Sequence, residues 1–322
     1  MEQMKLLLEK LDKVRAEVKK VVIGKDDVID AVLTTILSGG HTILEDIPGV
    51  GKTTLALAFS KTLSLSYKRM QFTPDVLPAD VTGFSMFDKN KGEFVFHEGA
   101  VMCNLFLADE INRTSPKTQS ALLEVMEEGR VTVDSVSYTV PKPFFVIATM
   151  NPLGSAGTQK MPESQLDRFM TKLSMGYPDV KSEALILKNE NKGGIDSIEP
   201  VVSLDEIVQM QSIINDIYVD DAIYDYISLF LLETRNDPML RTGVSPRGGK
   251  AVLRLARSKA FLSGRKYVVP EDIIDVVPVA CCHRITLSAK ARAEGKTEND
   301  VVMAAINRVA MPKSSGKSAI KE

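Results

Sequence analysis

The sequence predicts an α/β fold in which a parallel sheet of five strands is covered by helices, followed by a separate helical domain. Three observations predict this. Five short apolar runs (His41–Glu45, Lys68–Phe72, Asn104–Asp109, Phe144–Thr149 and Thr171–Met175) mostly alternate with helical patterns. That texture belongs to strands buried on both faces. The first run leads through a glycine-rich turn into a helical pattern, Thr54–Leu63. After Tyr177-Pro178-Asp179 strand-like runs stop, and helical periodicity continues to about Val309.

Each element has its own signal. Glu2–Val21 places Leu6, Leu7, Leu11, Val14, Val18 and Val21 at helical spacing. Val22–Lys25 reads as a turn and Asp26–Leu37 as a second helix. Phe84–Phe96 alternates apolar residues around Asn90-Lys91-Gly92, and Val131–Val140 alternates around Asp134-Ser135. Both read as β-hairpins inserted into the core. The later helical segments are Leu204–Ile214, Ala222–Thr234, Gly249–Leu262, Glu271–Thr286 and Asn299–Val309. The expected organisation is a core over residues 1–178, a helical domain over 179–312 and a disordered tail over 313–322.

Composition narrows the function classes. A net charge of −2 with no long basic run argues against a nucleic-acid-binding protein. The cysteines Cys103, Cys281 and Cys282 show no CxxC spacing, so a disulfide framework or structural zinc is not expected and a cytoplasmic setting is. No apolar run approaches membrane-spanning length, and no signal-peptide core is evident.

The chemistry concentrates in four places. Asp46-Ile47-Pro48-Gly49-Val50-Gly51-Lys52-Thr53-Thr54 is a Walker A-type phosphate loop, with Asp46 where the full pattern has Gly. Gly49, Val50, Gly51, Lys52, Thr53 and Thr54 form the expected cradle for ATP. Glycine lets the backbone approach an anion, the helix start points N–H groups at it, and the Thr53 hydroxyl suits Mg²⁺. Leu105–Glu110 is an apolar run ending in two acids. Asp109 is placed to hold Mg²⁺, and Glu110 to polarise an attacking water. Asn151 follows the next strand, so it projects to the same sheet edge; it fits a water-orienting amide or a plain Asn-Pro turn. Arg168 follows a short helix started by Pro162-Glu163 and fits either a salt-bridged surface arginine or a ligand-directed cation. Ser245-Pro246-Arg247 opens a helix, where a cation opposes the macrodipole unless an anion or acidic neighbour sits beside it.

Together these residues resemble the MoxR family of AAA+ ATPases over nearly all of residues 3–311. The blocks that carry the resemblance are Glu45–Thr53, Gln71–Gly83, Leu107–Leu123, Phe144–Pro152, Gln165–Phe169 and Val244–Lys250. The resemblance implies a P-loop AAA+ core with a five-stranded parallel sheet and a C-terminal all-helical lid. It implies a homohexameric ring with ATP at subunit boundaries. Asn151 takes the sensor 1 position, Arg168 that of an arginine reaching the neighbour's γ-phosphate, and Arg247 sensor 2. Ile23 and Gly24 fall at the adenine-contacting turn. The hairpins match the helix-2 and pre-sensor 1 inserts. Chaperone-like maturation of client proteins, including metal cofactor insertion, is also implied, with a partner carrying a von Willebrand factor A-type domain. Departures occur at Gly99-Ala100-Val101-Met102 and at Leu153–Lys160.

The expected function is therefore Mg²⁺-dependent ATP hydrolysis driving a ring that remodels a protein client. A nucleic-acid motor and a non-catalytic nucleotide switch are the alternatives. The near-neutral charge argues against the first, and Glu110, Asn151 and Arg168 against the second.

Overall fold

The computed structural model describes residues 2–152, 158–188 and 194–312. The expected disordered tail lies outside the described residues, as do residues 153–157 of the departing stretch after Asn151. The chain forms two compact units, Met1–Gln211 and Ser212–Glu322.

The first unit opens with α1 (Glu2–Lys19) and α2 (Asp26–Leu37). Leu7, Leu11, Val14 and Val18 form the buried stripe of α1, as the spacing requires. β1 (Thr42–Glu45) then leads into α3 (Lys52–Thr62), and β2 (Tyr67–Gln71) into the single-turn α4 (Pro78–Thr82). A ribbon follows, β3 (Gly83–Asp88) and β4 (Glu93–Glu98). Next come β5 (Leu105–Asp109), α5 (Pro116–Glu128) and a second ribbon, β6 (Arg130–Val133) with β7 (Val136–Thr139). β8 (Phe145–Met150), α6 (Glu163–Leu166), β9 (Thr171–Leu173), α7 (Val180–Lys188) and α8 (Leu204–Asn215) complete this part of the chain.

Five strands make one sheet in the order β2-β5-β8-β1-β9, and every neighbouring pair is parallel. β5 and β8 are buried at every position, as central strands covered on both faces must be. Ile43, Phe106, Ala108, Val146 and Ala148 of the sheet pack with Leu122 and Leu123 of α5 in one apolar cluster. All five strands run the same way, so their carboxyl ends open onto one edge.

Both ribbons are antiparallel hairpins, as the alternation predicts. Phe96 of β4 stacks on Tyr138 of β7 at 3.8 Å between ring centroids, which joins the two hairpins at their bases. Phe87 and Phe94 form an edge-on pair farther out, and Phe94 is 70% exposed. A Cβ at Gly99 would meet the Val81 carbonyl at 2.2 Å, so the departing stretch at 99–102 sits where two backbones nearly touch.

The composition change at Tyr177-Pro178-Asp179 precedes the boundary between the compact units. Residues 194–211 group with the first unit because the chain returns to α3 and α1. Val201 N–H donates to the Thr62 carbonyl at 2.8 Å, Lys61 pairs with Asp196 at 2.9 Å, and Lys10 pairs with Glu206.

The second unit contains α9 (Asp221–Asn236), β10 (Leu240–Thr242), α10 (Pro246–Leu262), α11 (Pro270–Cys281), β11 (Thr286–Leu287), α12 (Ala289–Ala293) and α13 (Glu298–Arg308). Among the described residues it is predominantly helical, as expected, with a short antiparallel ribbon, β10 with β11, that the all-helical expectation did not include. The segment Glu271–Thr286 is accordingly not one helix. α11 ends at Cys281, a single 3₁₀ turn spans Cys282–Arg284, and Thr286 enters the ribbon. Strands of two and three residues are too short to show a period of two.

Candidate nucleotide and catalytic site

The sheet edge gathers the sequence motifs. β1 ends at Glu45, and the chain turns through Gly49 (φ 86°) and Gly51 (φ 93°) into α3. Both glycines hold left-handed conformations that L side chains resist. The first-turn N–H groups of α3 then face the turn, as anion binding requires. Lys52 is 8% exposed, and its ammonium donates to the Asp46 carbonyl at 2.6 Å. Burial pulls its pKa down, and the carboxylates of Asp46, Asp109 and Glu110 oppose that pull.

Asp46, the departure from the usual loop pattern, has a structural reason. Its carboxylate accepts from Ile47 N–H at 2.9 Å, the Ser174 hydroxyl at 2.9 Å and Gly176 N–H at 2.5 Å. Burial pushes its pKa up, but these hydrogen bonds outweigh burial and hold it below the ordinary aspartate value. The phosphate loop is thus tied to the segment that follows β9. Lys25 grips the same segment from the other side, donating to the Met175 and Tyr177 carbonyls. Beside Lys25, Ile23 is half-buried and Gly24 has φ 70°; a Cβ there would strike Ser182 Oγ at 2.1 Å.

The two acids after β5 are held differently. Asp109 accepts from the Thr149 hydroxyl at 2.6 Å on one oxygen and from Arg69 on the other, at 2.6 Å from Nη2 and 3.2 Å from Nε. Glu110 adopts φ 57°, and its N–H donates to Thr149 Oγ1 at 2.8 Å. One Glu110 carboxylate oxygen accepts from Asn151 Nδ2 at 2.9 Å, the other from Arg113 Nη1 at 2.6 Å. Burial raises the Glu110 pKa, yet Arg113 and Asn151 outweigh it, so the group stays ionised near neutrality. Asn151 is 7% exposed, and its carbonyl accepts from Asn112 at 3.0 Å.

A cleft of about 380 Å³ unites these groups; Gly49, Gly51, Lys52, Thr53, Thr54, Asp109, Glu110 and Asn151 line it, with Pro48, Arg69 and Gln71. Val50 belongs to the same turn, half-buried between its two glycines. Arg168, just after α6, pairs with Glu127 of α5 at 3.3 Å and is not part of the cleft wall. Arg247 is exposed in the first turn of α10 in the second unit, where the Ser245 hydroxyl caps Gly248 N–H at 3.1 Å.

Sequence reasoning missed Arg69, Arg113 and Gln71. Arg113 stands three residues after Glu110 and is the one with a readable signal. Arg69 and Gln71 reach the acids only through the pairing of β2 with β5, which sets Gln71 opposite Asp109.

Among the described residues, no group of three or more His, Cys, Asp or Glu forms a metal cage. The Thr53 hydroxyl and Asp109 carboxylate, both on the cleft, are hard oxygen donors. A sparse oxygen set of this kind fits Mg²⁺, which keeps waters and takes its other ligands from phosphates.

Residues 41–171 match the model of the ATPase family associated with various cellular activities (AAA), and residues 232–305 match the AAA lid domain. A phosphate loop on a parallel sheet, followed by that lid, defines an AAA-type module. The chain is 43% identical to the uncharacterized protein YeaC of Bacillus subtilis, over 94% of this chain and 95% of that one. It is 35% identical to Chaperone MoxR1 of Mycobacterium tuberculosis, over 94% and 82% respectively. A crystal structure of a candidate ATPase from Cytophaga hutchinsonii superposes with a TM-score of 0.89 at 35% identity, covering 97% of this chain and 98% of that one. The chain belongs to the MoxR family of AAA+ ATPases.

Proposed function

We propose that this chain hydrolyses ATP and uses the cycle to remodel or mature protein clients, with metal cofactor insertion as one such task. The observation that carries the reading is the Glu110–Asn151 hydrogen bond, 2.9 Å long, inside the cleft that also holds Lys52 and Asp109. Lys52 and the α3 N–H groups would bind the triphosphate. Thr53 and Asp109 would hold Mg²⁺, which when bound neutralises charge on the phosphates. Glu110 would take the proton of the attacking water, and Asn151 would orient base and water together. Ile23 and Gly24 are assigned to the adenine, and Arg247 to sensing nucleotide state.

Arg168 sits outside its own cleft and supports a role in trans. In a homohexameric ring it would reach a neighbour's γ-phosphate. The two hairpins, the first with exposed Phe84, Phe87 and Phe94 and the second with exposed Val136, are assigned to client contact. A protein with a von Willebrand factor A-type domain is the proposed partner, and the cytoplasm the proposed setting. Among the described residues no helix is long and apolar enough to cross a membrane.

Two variants test the site. Lys52→Ala should weaken ATP binding by about 10- to 100-fold, the value of one charge-assisted hydrogen bond. Glu110→Gln should bind ATP with near wild-type affinity and hydrolyse it about 10²- to 10⁴-fold more slowly. Calorimetry and phosphate release separate the two effects. Wild-type turnover by Glu110→Gln would overturn the assignment of the base.

A further inference from the structure

Both oxygens of the Glu110 carboxylate are held by side-chain donors. Asn151 Nδ2 holds one oxygen at 2.9 Å, and Arg113 Nη1 holds the other at 2.6 Å. The two donors differ in kind. An amide can hold a carboxylate and still turn an acceptor toward water. A guanidinium only donates, and its charge favours the ion pair over proton abstraction.

The placement of Arg113 is built into the fold. It ends the single 3₁₀ turn Ile111–Arg113, and that turn is pinned by Gln119 of α5, which donates to the Ile111 and Thr114 carbonyls at 3.1 and 3.2 Å. The side chain is only 36% exposed and Glu110 19%, so the pair is screened less than a surface pair. Among the described residues, Arg113 Nε is buried with no hydrogen-bond partner. A guanidinium held by its Nη1 contact to Glu110 while Nε goes unsatisfied is not in its best arrangement, since a buried donor without a partner is costly. The residue therefore has a reason to leave as well as a reason to stay.

We infer that Arg113 is a restraining residue, holding Glu110 in an ion pair that keeps basal hydrolysis slow until the pair opens. This inference rests on Glu110 being the base of the proposed ATPase. It assigns Arg113 no contact with ATP; the residue acts through Glu110 alone. A residue that merely supports the fold, or positions Glu110 productively, would have the opposite effect on rate when removed.

The experiment compares steady-state phosphate release and calorimetric ATP binding for full-length wild type, Arg113→Met, Arg113→Lys and Arg113→Met combined with Glu110→Gln. Arg113→Met should raise kcat about tenfold, the effect of losing one charge-assisted hydrogen bond, with KM and ATP affinity within about twofold of wild type. Arg113→Lys, which restores a cation, should bring kcat back toward the wild-type value. The double variant should lose the gain, because the gain runs through the Glu110 carboxylate. A fall in kcat for Arg113→Met with ATP affinity intact would overturn the restraint. A gain that survives Glu110→Gln would overturn the route through Glu110. Absence of turnover in both wild type and Arg113→Met, with ATP bound in each, would also reject the restraint. Failure of ATP to bind wild type would instead reject the nucleotide-site reading, and the inference with it. Should Arg113→Met fail to fold, Arg113→Gln provides a neutral side chain of similar reach, and the same outcomes apply.

Discussion

At the residue scale, Asp46 shows how a departure from a motif can be an addition. A glycine there would supply only flexibility. The aspartate closes hydrogen bonds to Ile47, Ser174 and Gly176 from a position 8% exposed. Asp46→Ala should cost about 1–3 kcal/mol in denaturant unfolding, because it strands buried donors. The pH dependence has a definite sign. The folded-state pKa is lowered, so the contribution is full above the unfolded value of about 4 and fades as pH falls through the folded value. The stability difference between wild type and Asp46→Asn should therefore shrink below about pH 4, in urea titrations across acid pH. A constant difference would mean the carboxylate charge is not what matters. Of the cleft, the phosphate loop, Asp109, Glu110 and Asn151 were legible because each directly follows an apolar strand. The carboxylate partners of Asp46 were not, since Ser174 and Gly176 are more than a hundred residues away in sequence.

At the element scale, the two hairpins are one assembly. The Phe96–Tyr138 stack joins ribbons that are separated by a strand and a helix in sequence. A double-mutant cycle with Phe96→Leu and Tyr138→Leu should return a coupling of about 0.5–1.5 kcal/mol in unfolding free energy. Strict additivity would show that the rings stack without mutual stabilisation. The hairpins were legible because alternating residues flank turn-forming residues, Asn90-Lys91-Gly92 and Asp134-Ser135. Their mutual contact was not, because nothing in alternation says which ribbon lies beside which. The β10–β11 ribbon was invisible for the reason already given. The helices of both units were read from apolar spacing, as with Val301, Val302, Ala305 and Ile306 buried along α13. Where the first unit ends was less legible, since residues 194–211 return to α1 and α3 through backbone bonds and ion pairs that carry no composition signal.

At the scale of the whole molecule, Arg168 sets the test of assembly. It is partly exposed and paired with Glu127, so its own cleft lacks its charge. On the proposed trans role, turnover per subunit should rise with protein concentration as the proposed rings assemble. Arg168→Ala should retain ATP binding and lose hydrolysis by about 10³-fold or more. Mixing Arg168→Ala with Glu110→Gln subunits should restore part of the rate, since some boundaries then pair an intact Glu110 with an intact Arg168. Phosphate release measured alongside light scattering decides this. Concentration-independent turnover, with no rescue in confirmed mixed rings, would leave Arg168 as a partner of Glu127 alone.

The short segment after β9 has a consequence of its own. Its Gly176 N–H is spent on the Asp46 carboxylate, while its carbonyls at Met175 and Tyr177 are spent on Lys25. One amide proton therefore acts as a clock for the phosphate loop. In hydrogen–deuterium exchange, Gly176 should exchange slowly and slow further when ATP steadies the loop; Asp46→Ala should release it. A single peptide in a mass spectrum would then read nucleotide occupancy from a position that need not touch the nucleotide at all.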